Sequence, residues 1–182
     1  MTKTAPPATT RPTEFATVFV GLGANLGDAS ATLRAALAEL QALAEAGSFE
    51  ASPFYGTAPV DSSGPDYVNA VARLRTALAP HALLDALQAI EERFGRERPY
   101  RNAPRTLDLD ILLYGVREGQ GGLVLHDDRL TLPHPRAAQR GFVLAPLAAL
   151  WPDGEIPGAG RVAALLAAVR ADPGQRVDRL DG

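Results

Sequence analysis

One stretch of the chain reads Arg105-Thr106-Leu107-Asp108-Leu109-Asp110-Ile111-Leu112-Leu113-Tyr114. Apolar and acidic residues alternate through its first half with a period of two, which is typical of a β-strand. Asp108 and Asp110 would then lie on one face of that strand, roughly 7 Å apart, and the leucines on the other. Two like charges at this distance repel unless a cation lies between them. The pattern alone fits either a solvated edge strand or a metal site.

The segment before this strand is strongly basic. Between residues 93 and 105 the chain carries one Glu and five Arg, namely Arg93, Arg96, Arg98, Arg101 and Arg105, although its net charge is −3. Guanidinium groups bind phosphate oxygens, and paired carboxylates suit Mg²⁺, which also takes phosphate oxygens as ligands. A solvated loop is the alternative interpretation of such a charge run. Its position next to the acidic pair favours a polyphosphate site.

Composition limits the class of protein. A chain of 182 residues with 46% hydrophobic and 21% charged residues suits one soluble domain. The absence of Cys excludes disulfides and Cys-ligated zinc, and the negative charge disfavours a general nucleic-acid binder. No apolar run approaches the roughly 20 residues that span a bilayer, and no secretory signal is apparent. We expect a cytoplasmic monomer that binds neither nucleic acid nor membranes.

Hydrophobic periodicity predicts the order of elements. Strands are expected at residues 16–22, 49–55 and 67–76 and at the acidic segment, with helices at 29–46 and 80–94. This order matches the α+β, ferredoxin-like split β-α-β-β-α-β arrangement, an antiparallel sheet with two helices on one face. A single domain would cover residues 15–170, between a disordered tail at 1–14 and a polar tail at 171–182. Further helices are expected at 141–150 and within 160–182.

Two other features have less specific interpretations. The glycine-rich segment from Gly21 to Asp28 resembles a dinucleotide fingerprint, but its third Gly falls one residue late. A turn into a helix capped by Asp28 or Ser30 is favoured instead. His126 and His134 lack the partners that a zinc site would need, and we disfavour one.

Six segments carry a resemblance to a known family. They are Gly21-Leu22-Gly23-Ala24-Asn25-Leu26-Gly27, Phe54-Tyr55 with Thr57 and Pro59, Pro65-Asp66-Tyr67-Val68-Asn69-Ala70, Pro104-Arg105-Thr106-Leu107-Asp108-Leu109-Asp110-Ile111, Leu132-Pro133-His134-Pro135-Arg136 and Arg140-Gly141-Phe142-Val143-Leu144-Ala145-Pro146-Leu147. In order and spacing they resemble the 6-hydroxymethyl-7,8-dihydropterin pyrophosphokinases of folate biosynthesis. The resemblance runs from about Val18 to Leu150, and the fourth segment is the most specific.

The resemblance implies an ATP-dependent diphosphokinase with a ferredoxin-like fold. The hydroxymethyl oxygen of the pterin would attack the β-phosphorus of ATP in line, and AMP would leave. Catalysis of this kind rests mainly on positioning and charge neutralisation. The partners implied are ATP, a reduced pterin and two Mg²⁺ ions that bridge the ATP phosphates.

Site residues follow from the same resemblance. Catalytic roles are implied for Arg96, Arg105, Asp108 and Asp110, the last two as the Mg²⁺ ligands. ATP contacts are implied at Gln88, Glu91, Arg96, Arg98, Arg105, Ile111, Arg129, Thr131, His134 and Arg140. Pterin contacts are implied at Thr57, Val60, Tyr67, Asn69 and Phe142, where a flat ring would fit between two aromatic faces and the Asn amide would read its edge.

The chain departs from the family pattern upstream of the acidic strand. The Arg-rich loop is one residue shorter than usual, and Asn102 stands where a Trp that closes over the site is common.

Two other functions are weighed against the diphosphokinase. One is another Mg²⁺-dependent transferase on the same fold with a different acceptor. The other is a nucleic-acid-binding module, against which stand the negative charge and the lack of a ribonucleoprotein aromatic motif.

Overall fold

The computed structural model describes residues 14–58, 64–95, 106–117 and 121–180. In these ranges the strands are β1 (Ala16–Ala24), β2 (Glu50–Ala51), β3 (Tyr55–Thr57), β4 (Tyr67–Thr76), β5 (Asp108–Val116), β6 (Leu125–His126), β7 (Thr131–Leu132), β8 (Glu155–Ile156), β9 (Gly160–Arg161) and β10 (Asp178–Arg179). The α-helices are α1 (Ala29–Gln41), α2 (Pro80–Arg93), α3 (Gly141–Leu150) and α4 (Val162–Arg170).

The central sheet has the strand order β10-β3-β4-β1-β5, and β2 pairs separately with β4. Every pairing in it is antiparallel. Helix α1 connects β1 to β2 and β3, and α2 connects β4 to β5, each returning the chain past a strand that lies between. This is the predicted ferredoxin-like α+β arrangement, with β5 at one edge of the sheet.

Helices cover both faces of the sheet. On one face Leu33 and Leu40 of α1 and Leu83 and Leu87 of α2 pack against β1, β4 and β5. On the other face, residues of α3 and α4 pack against a second set of strand residues, including Phe19, which stacks on Trp151 with ring centroids 5.2 Å apart. The sequence predicted helices on one face; the second cover comes from α3 and α4, which follow the split β-α-β-β-α-β unit.

Three local predictions need correction. Helix α1 ends at Gln41 rather than near residue 46, because the chain turns at Leu43 and Ala44 and the Glu45 N–H donates to the Arg75 carbonyl (2.7 Å). The predicted strand 49–55 is two short strands. Residues 52–54 oppose only residues 70–71, since Ala51 pairs with Ala72 and Tyr55 with Asn69, so the extra residue forms a bulge.

The third correction concerns the glycine-rich segment. The predicted first strand ends at residue 22, whereas β1 continues through Gly23 and Ala24, and the turn begins only after it. Asp28 does cap α1, since its carboxylate accepts the Ala31 N–H (2.9 Å). Gly27 before it has φ of 60°, which a glycine adopts without strain.

The far end of the chain joins the sheet. Asp178 and Arg179, in the segment expected to be a polar tail, pair with Gly56 and Tyr55 of β3. The boundaries of the single domain at residues 15 and 170 stay a prediction. Within the described ranges, no helix has the length and apolarity needed to cross a membrane.

Candidate active site

A cavity of about 380 Å³ opens where α3 begins, on the face of the sheet that α3 covers. We call it the sheet cavity. Its lining comes from four strands, from α3 and the segment that enters it, and from Gln175 near the end of the described chain. It includes Gly21, Gly23, Thr57, Tyr67, Asn69, Asp108, Asp110, His134, Arg136, Arg140 and Phe142. A volume of this size suits a small heterocyclic ligand. The predicted pterin residues Thr57, Tyr67, Asn69 and Phe142 therefore share one cavity.

Two glycines of β1 form part of its floor. Gly23 pairs with Asn69 on one side and with Asp108 on the other, and Gly21 pairs with Asp110. A Cβ atom at Gly23 would lie 3.2 Å from the Asn69 Oδ1, and one at Gly21 would lie 3.3 Å from Leu112. Because side chains are absent here, the cavity reaches down to the backbone of β1.

Asn69 presents a hydrogen-bond acceptor at this floor. It is buried, and its Nδ2 donates to the Thr57 Oγ1 at 3.0 Å. That bond orients the amide so that Oδ1 lies toward Gly23 and the floor of the cavity. A ligand N–H at this position would find a fixed acceptor.

A second cavity, of about 350 Å³, lies beside the edge strand β5. We call it the edge cavity. Gln88 and Glu91 of α2 contribute to its lining. It shares five residues with the sheet cavity, namely Asp108, Asp110, His134, Arg136 and Arg140. The two carboxylates, one imidazole and two guanidinium groups therefore stand where the two cavities meet.

Glu91 holds the strand that carries the carboxylates. It is only 2% exposed, and its Oε1 accepts the backbone N–H of Leu109 at 2.8 Å. Leu109 lies between Asp108 and Asp110 on the outer edge of the sheet, where its backbone N–H faces no neighbour among the described strands. The carboxylate of Glu91 thus supplies the missing acceptor and fixes the peptide between the two aspartates.

His134 is oriented as a hydrogen-bond donor. Its own N–H donates to the Leu112 carbonyl (2.9 Å), and its Nδ1 accepts the Arg136 N–H (3.1 Å). In the neutral ring the proton then resides on Nε2, which lies 4.0 Å from the Asp110 Oδ2. Burial lowers the pKa of His134 below its ordinary value, and the Arg140 and Arg136 cations add to this effect while Asp108 opposes it.

The acidic pair fits a magnesium ion better than a protein-only metal centre. Asp108 and Asp110 lie on the same face of β5, and the Asp110 side chain is 45% exposed. Among the described residues, no group of three His, Cys, Asp or Glu side chains is placed to hold a metal. Two carboxylates are what Mg²⁺ needs from a protein when waters and phosphate oxygens complete its shell.

The structure does not bring every predicted residue to the cavities. Ile111 is buried in the core between the sheet and helices α1 and α2, so its side chain lines neither cavity. Arg129 forms an ion pair with Asp85 of α2, and the Thr131 Oγ1 shares a hydrogen bond with the His126 ring (3.0 Å). Four predicted residues lie outside the described ranges, namely Val60, Arg96, Arg98 and Arg105.

Sequence reasoning missed several lining residues. Arg136 lines both cavities, and Gln139 and Gln175 line the sheet cavity. The signal for Gly21 and Gly23 was present, since two glycines separated by one residue at the end of a strand lie on the same face. For Gln175 the sequence held no signal, because its position depends on contacts with residues far away in the chain.

A pair of carboxylates between two cavities, with two arginines beside it, would suit an enzyme that transfers phosphoryl groups with the help of a metal. The comparisons with known proteins agree with this class. Residues 19–152 match the family model of 7,8-dihydro-6-hydroxymethylpterin-pyrophosphokinase. The chain therefore belongs to that family and is an ATP-dependent diphosphotransferase.

Individual relatives extend the match over most of the chain. The 2-amino-4-hydroxy-6-hydroxymethyldihydropteridine pyrophosphokinase of Pseudomonas aeruginosa is 44% identical over 166 residues, which cover 91% of this chain and 97% of that protein. The protein of the same name from Synechocystis is 42% identical over 142 residues, covering 78% of this chain and 70% of the relative.

A solved structure supports the fold. The HPPK-DHPS protein of Plasmodium falciparum superposes with a TM-score of 0.65 over 87% of this chain, at 14% sequence identity. This chain spans 46% of that longer one. At so low an identity, the likeness concerns the ferredoxin-like architecture alone.

Proposed function

We propose that this chain carries out the reaction of its family, diphosphate transfer from ATP to the hydroxymethyl group of 6-hydroxymethyl-7,8-dihydropterin, with the pterin in the sheet cavity and ATP in the edge cavity. The observation that carries the assignment is the position of Asp108 and Asp110, which line both cavities. The two substrates would meet at this junction, so that the acceptor oxygen reaches the β-phosphorus in line.

The sheet cavity suits a flat, polar ring. Tyr67 and Phe142 supply aromatic surface from β4 and α3, and the Arg140 guanidinium lies over the Phe142 ring at 5.4 Å. Asn69 and Thr57 supply fixed polar groups at the floor. Aromatic faces bind the plane of a pterin and an amide reads its edge, which supports these four residues as the acceptor site.

The junction suits a polyphosphate. Asp108 and Asp110 would hold Mg²⁺, proposed as two ions, which would neutralise the phosphates and polarise the bond that breaks. Arg136, Arg140 and the Nε2–H of His134 would donate to phosphate oxygens, since all three residues line both cavities. Because the Nδ1 of His134 is already bound to a backbone N–H, Nε2 acts here as a donor and not as a base.

Gln88 and Glu91 of α2 are proposed to contact the nucleotide in the edge cavity. Arg96, Arg98 and Arg105 are proposed to bind its phosphates, with Arg96 and Arg105 taking part in catalysis, and Val60 to complete the acceptor site. For Ile111, only main-chain atoms on the outer edge of β5 are available to a ligand. For Arg129, nucleotide binding would require exchange of Asp85 for a phosphate.

The chain is proposed to act as a monomer. A cytoplasmic location is proposed because ATP and Mg²⁺ are supplied there. Light scattering of the purified chain measures its oligomeric state, and fractionation of cells that express it measures its location. A dimer at micromolar concentration, or recovery outside the cytoplasm, would contradict them.

Product analysis tests the reaction directly. The chain is incubated with ATP, Mg²⁺ and 6-hydroxymethyl-7,8-dihydropterin, and nucleotides and pterins are separated. We expect AMP and a diphosphorylated pterin in equal amounts. ADP as the product would indicate a different transferase on the same fold, and turnover that does not depend on the pterin would indicate a different acceptor.

A further inference from the structure

The wall of the sheet cavity includes one residue from the far end of the chain. Gln175 lines this cavity together with Asn69 and Phe142. It lies 23 residues beyond residue 152, where the family match ends, since 175 − 152 = 23. No segment that carries the family resemblance includes it, so its place at the cavity comes from the tertiary structure alone.

Gln175 is attached to the start of α3. Its side-chain Oε1 accepts the backbone N–H of Gly141 at 3.1 Å. The residue at the N-cap of this helix, Arg140, makes no side-chain cap hydrogen bond. Gln175 therefore does the work of a cap from 34 positions away in the chain. The helix that Gln175 caps carries Phe142, and Arg140 directly precedes this helix.

The contact leaves no space for a side chain at position 141. A Cβ atom there would lie 2.6 Å from the Gln175 carbonyl oxygen and 3.0 Å from Val177. Real Cβ atoms do not approach backbone oxygens so closely, so Gly141 is required by the segment packed over it. The backbone of Gln175 and the start of α3 form one tightly packed unit.

The other side of the same segment is attached to the opposite wall. β10 pairs with Gly56 and Tyr55 of β3, and the Leu180 N–H donates to the Phe54 carbonyl (2.9 Å). Thr57, which positions Asn69, is the next residue of β3. On its N-terminal side the segment is held by the Asp172 carboxylate, which accepts the Gly174 N–H (2.9 Å). Gln175 is thus fixed between the two walls of the cavity.

The amide group of Gln175 has one polar atom left for a ligand. A backbone N–H can only donate, so the atom that faces Gly141 is the oxygen, and Nε2 is the other end of the amide. No described residue accepts a hydrogen bond from this Nε2. Asn69 has the opposite arrangement, because its Nδ2 is bound to Thr57 and its Oδ1 lies at the cavity floor. Both residues line the cavity, so its lining includes one amide that uses its nitrogen in a hydrogen bond within the protein and one that uses its oxygen.

We propose that Gln175 is a pterin-binding residue, whose Nε2 donates a hydrogen bond to an acceptor atom of the ring while its Oε1 caps α3. The inference rests on the assignment of the sheet cavity to the pterin. A pterin carries both ring N–H donors and carbonyl or imine acceptors along its edge, so a fixed acceptor and a fixed donor recognise it together. The C-terminal segment thereby adds to substrate specificity.

Two variants separate the donor from the cap. Gln175→Glu keeps Oε1 for the Gly141 N–H and removes the donor, and a carboxylate is favourable at a helix N-terminus. Gln175→Leu removes both groups without adding charge. Pterin affinity is measured by calorimetry in the presence of Mg²⁺ and a non-hydrolysable ATP analogue, ATP-analogue affinity is measured alone, and thermal unfolding is recorded for each variant.

We expect both variants to bind the pterin about tenfold more weakly or worse, as loss of one hydrogen bond to a buried ligand predicts. ATP-analogue affinity is expected to change less than twofold, and only Gln175→Leu should lower the unfolding temperature. Asp172→Ala, which loosens the same segment away from the cavity, controls for a purely structural effect and should leave pterin affinity within about twofold.

Other outcomes overturn the inference. Wild-type pterin affinity in both variants would show that Gln175 does not bind the ring. Loss of pterin affinity in Gln175→Glu alone would be an effect of the added charge. An equal loss of pterin affinity in Asp172→Ala would be an effect of packing. Failure of the wild-type chain itself to bind the pterin would instead contradict the proposed function. The two proposals therefore fail with different results.

Discussion

Strands β1, β4 and β5 send alternate residues to opposite faces of the sheet, and the two faces differ in composition. Toward α1 and α2 the residues are apolar along nearly the full length, as in Val18, Val20 and Leu22 of β1 and Leu109 and Ile111 of β5. All of them are less than 5% exposed. This face is a continuous hydrophobic core.

The opposite face is apolar over only half its length. Phe19, Val71 and Leu112 pack under α3 and α4. The next positions on the same face of the three strands are Gly21, Asn69 and Asp110, which line the sheet cavity. The hydrophobic cover stops where α3 begins, and the site occupies the uncovered end.

The difference between the faces teaches how one sheet provides both stability and chemistry. A complete core on one face stabilises the strands, so the other face can carry glycine and like charges at one end. Residues that are neighbours in sequence, such as Leu109 and Asp110, therefore have unrelated roles. Substitutions on the two faces should separate into losses of stability and losses of activity.

The largest effect is expected at the acidic pair. Asp108→Ala and Asp110→Ala should each lower turnover by at least about 100-fold, because each removes a metal ligand at the point where phosphate charge is neutralised. The unfolding temperature should change little, since both side chains are partly exposed. AMP release and thermal unfolding measure the two quantities. Asp128→Ala, in an exposed turn, is the matched control, and near-normal rates in both site variants would remove the metal assignment.

Substitution in the covered face should have the reverse result. Leu74→Ala removes a fully buried side chain of β4 from the core formed with α1 and α2. We expect the free energy of unfolding to fall by about 2–5 kcal/mol, from lost burial and a residual cavity. Urea denaturation measures this loss. kcat and KM of the folded fraction should be unchanged, and a drop in kcat at constant stability would break the division between the faces.

A smaller effect is expected at the cavity floor. In Gly23→Ala the new Cβ would lie 3.2 Å from the Asn69 Oδ1, so the amide must shift. We expect KM for the pterin to rise by about tenfold, which corresponds to about 1.4 kcal/mol of binding. Stability should be nearly unchanged, because alanine has less conformational freedom to lose than glycine. Equal losses for ATP and pterin would show that the floor does not contact the pterin selectively.

The smallest effect concerns pH. Burial lowers the pKa of His134 in the folded protein, whereas the pKa of a histidine in an unfolded chain is about 6.5. As pH falls below that value, the unfolded state takes up the proton before the folded state does. The stability that the neutral His134 ring contributes is therefore present above about 6.5 and is lost as the pH falls toward the lower pKa of the folded protein. Urea denaturation between pH 7.5 and 5.5 should show a steeper acid loss for wild type than for His134→Gln. Parallel curves would contradict the lowered pKa of His134.

Elements with a strong internal pattern were predictable from the sequence. The strand at 67–76 and the helix starting at Pro80 have the predicted bounds, because alternation and a leucine stripe are local properties. The bulge at residues 52–54 and the strand at 178–179 were missed, since both exist only through pairing with β3 or β4. Pairing between distant segments has no local signature.

For the site, the sequence by itself determined which residues share a face. Alternation along β5 places Asp108 and Asp110 together whatever the rest of the chain does, because successive side chains of a strand point to opposite faces. The glycines of β1 follow the same rule. These statements need only the geometry of one strand.

Only the tertiary structure decided where the hydrophobic cover ends and what meets at that end. Glu91 reaches the Leu109 N–H from 18 positions away, and Gln175 reaches Gly141 from 34. Such contacts depend on how the helices and strands pack, and the local sequence around a residue does not specify that packing. The acidic pair therefore becomes a junction between two cavities only after α2 and the segment that enters α3 have packed beside β5.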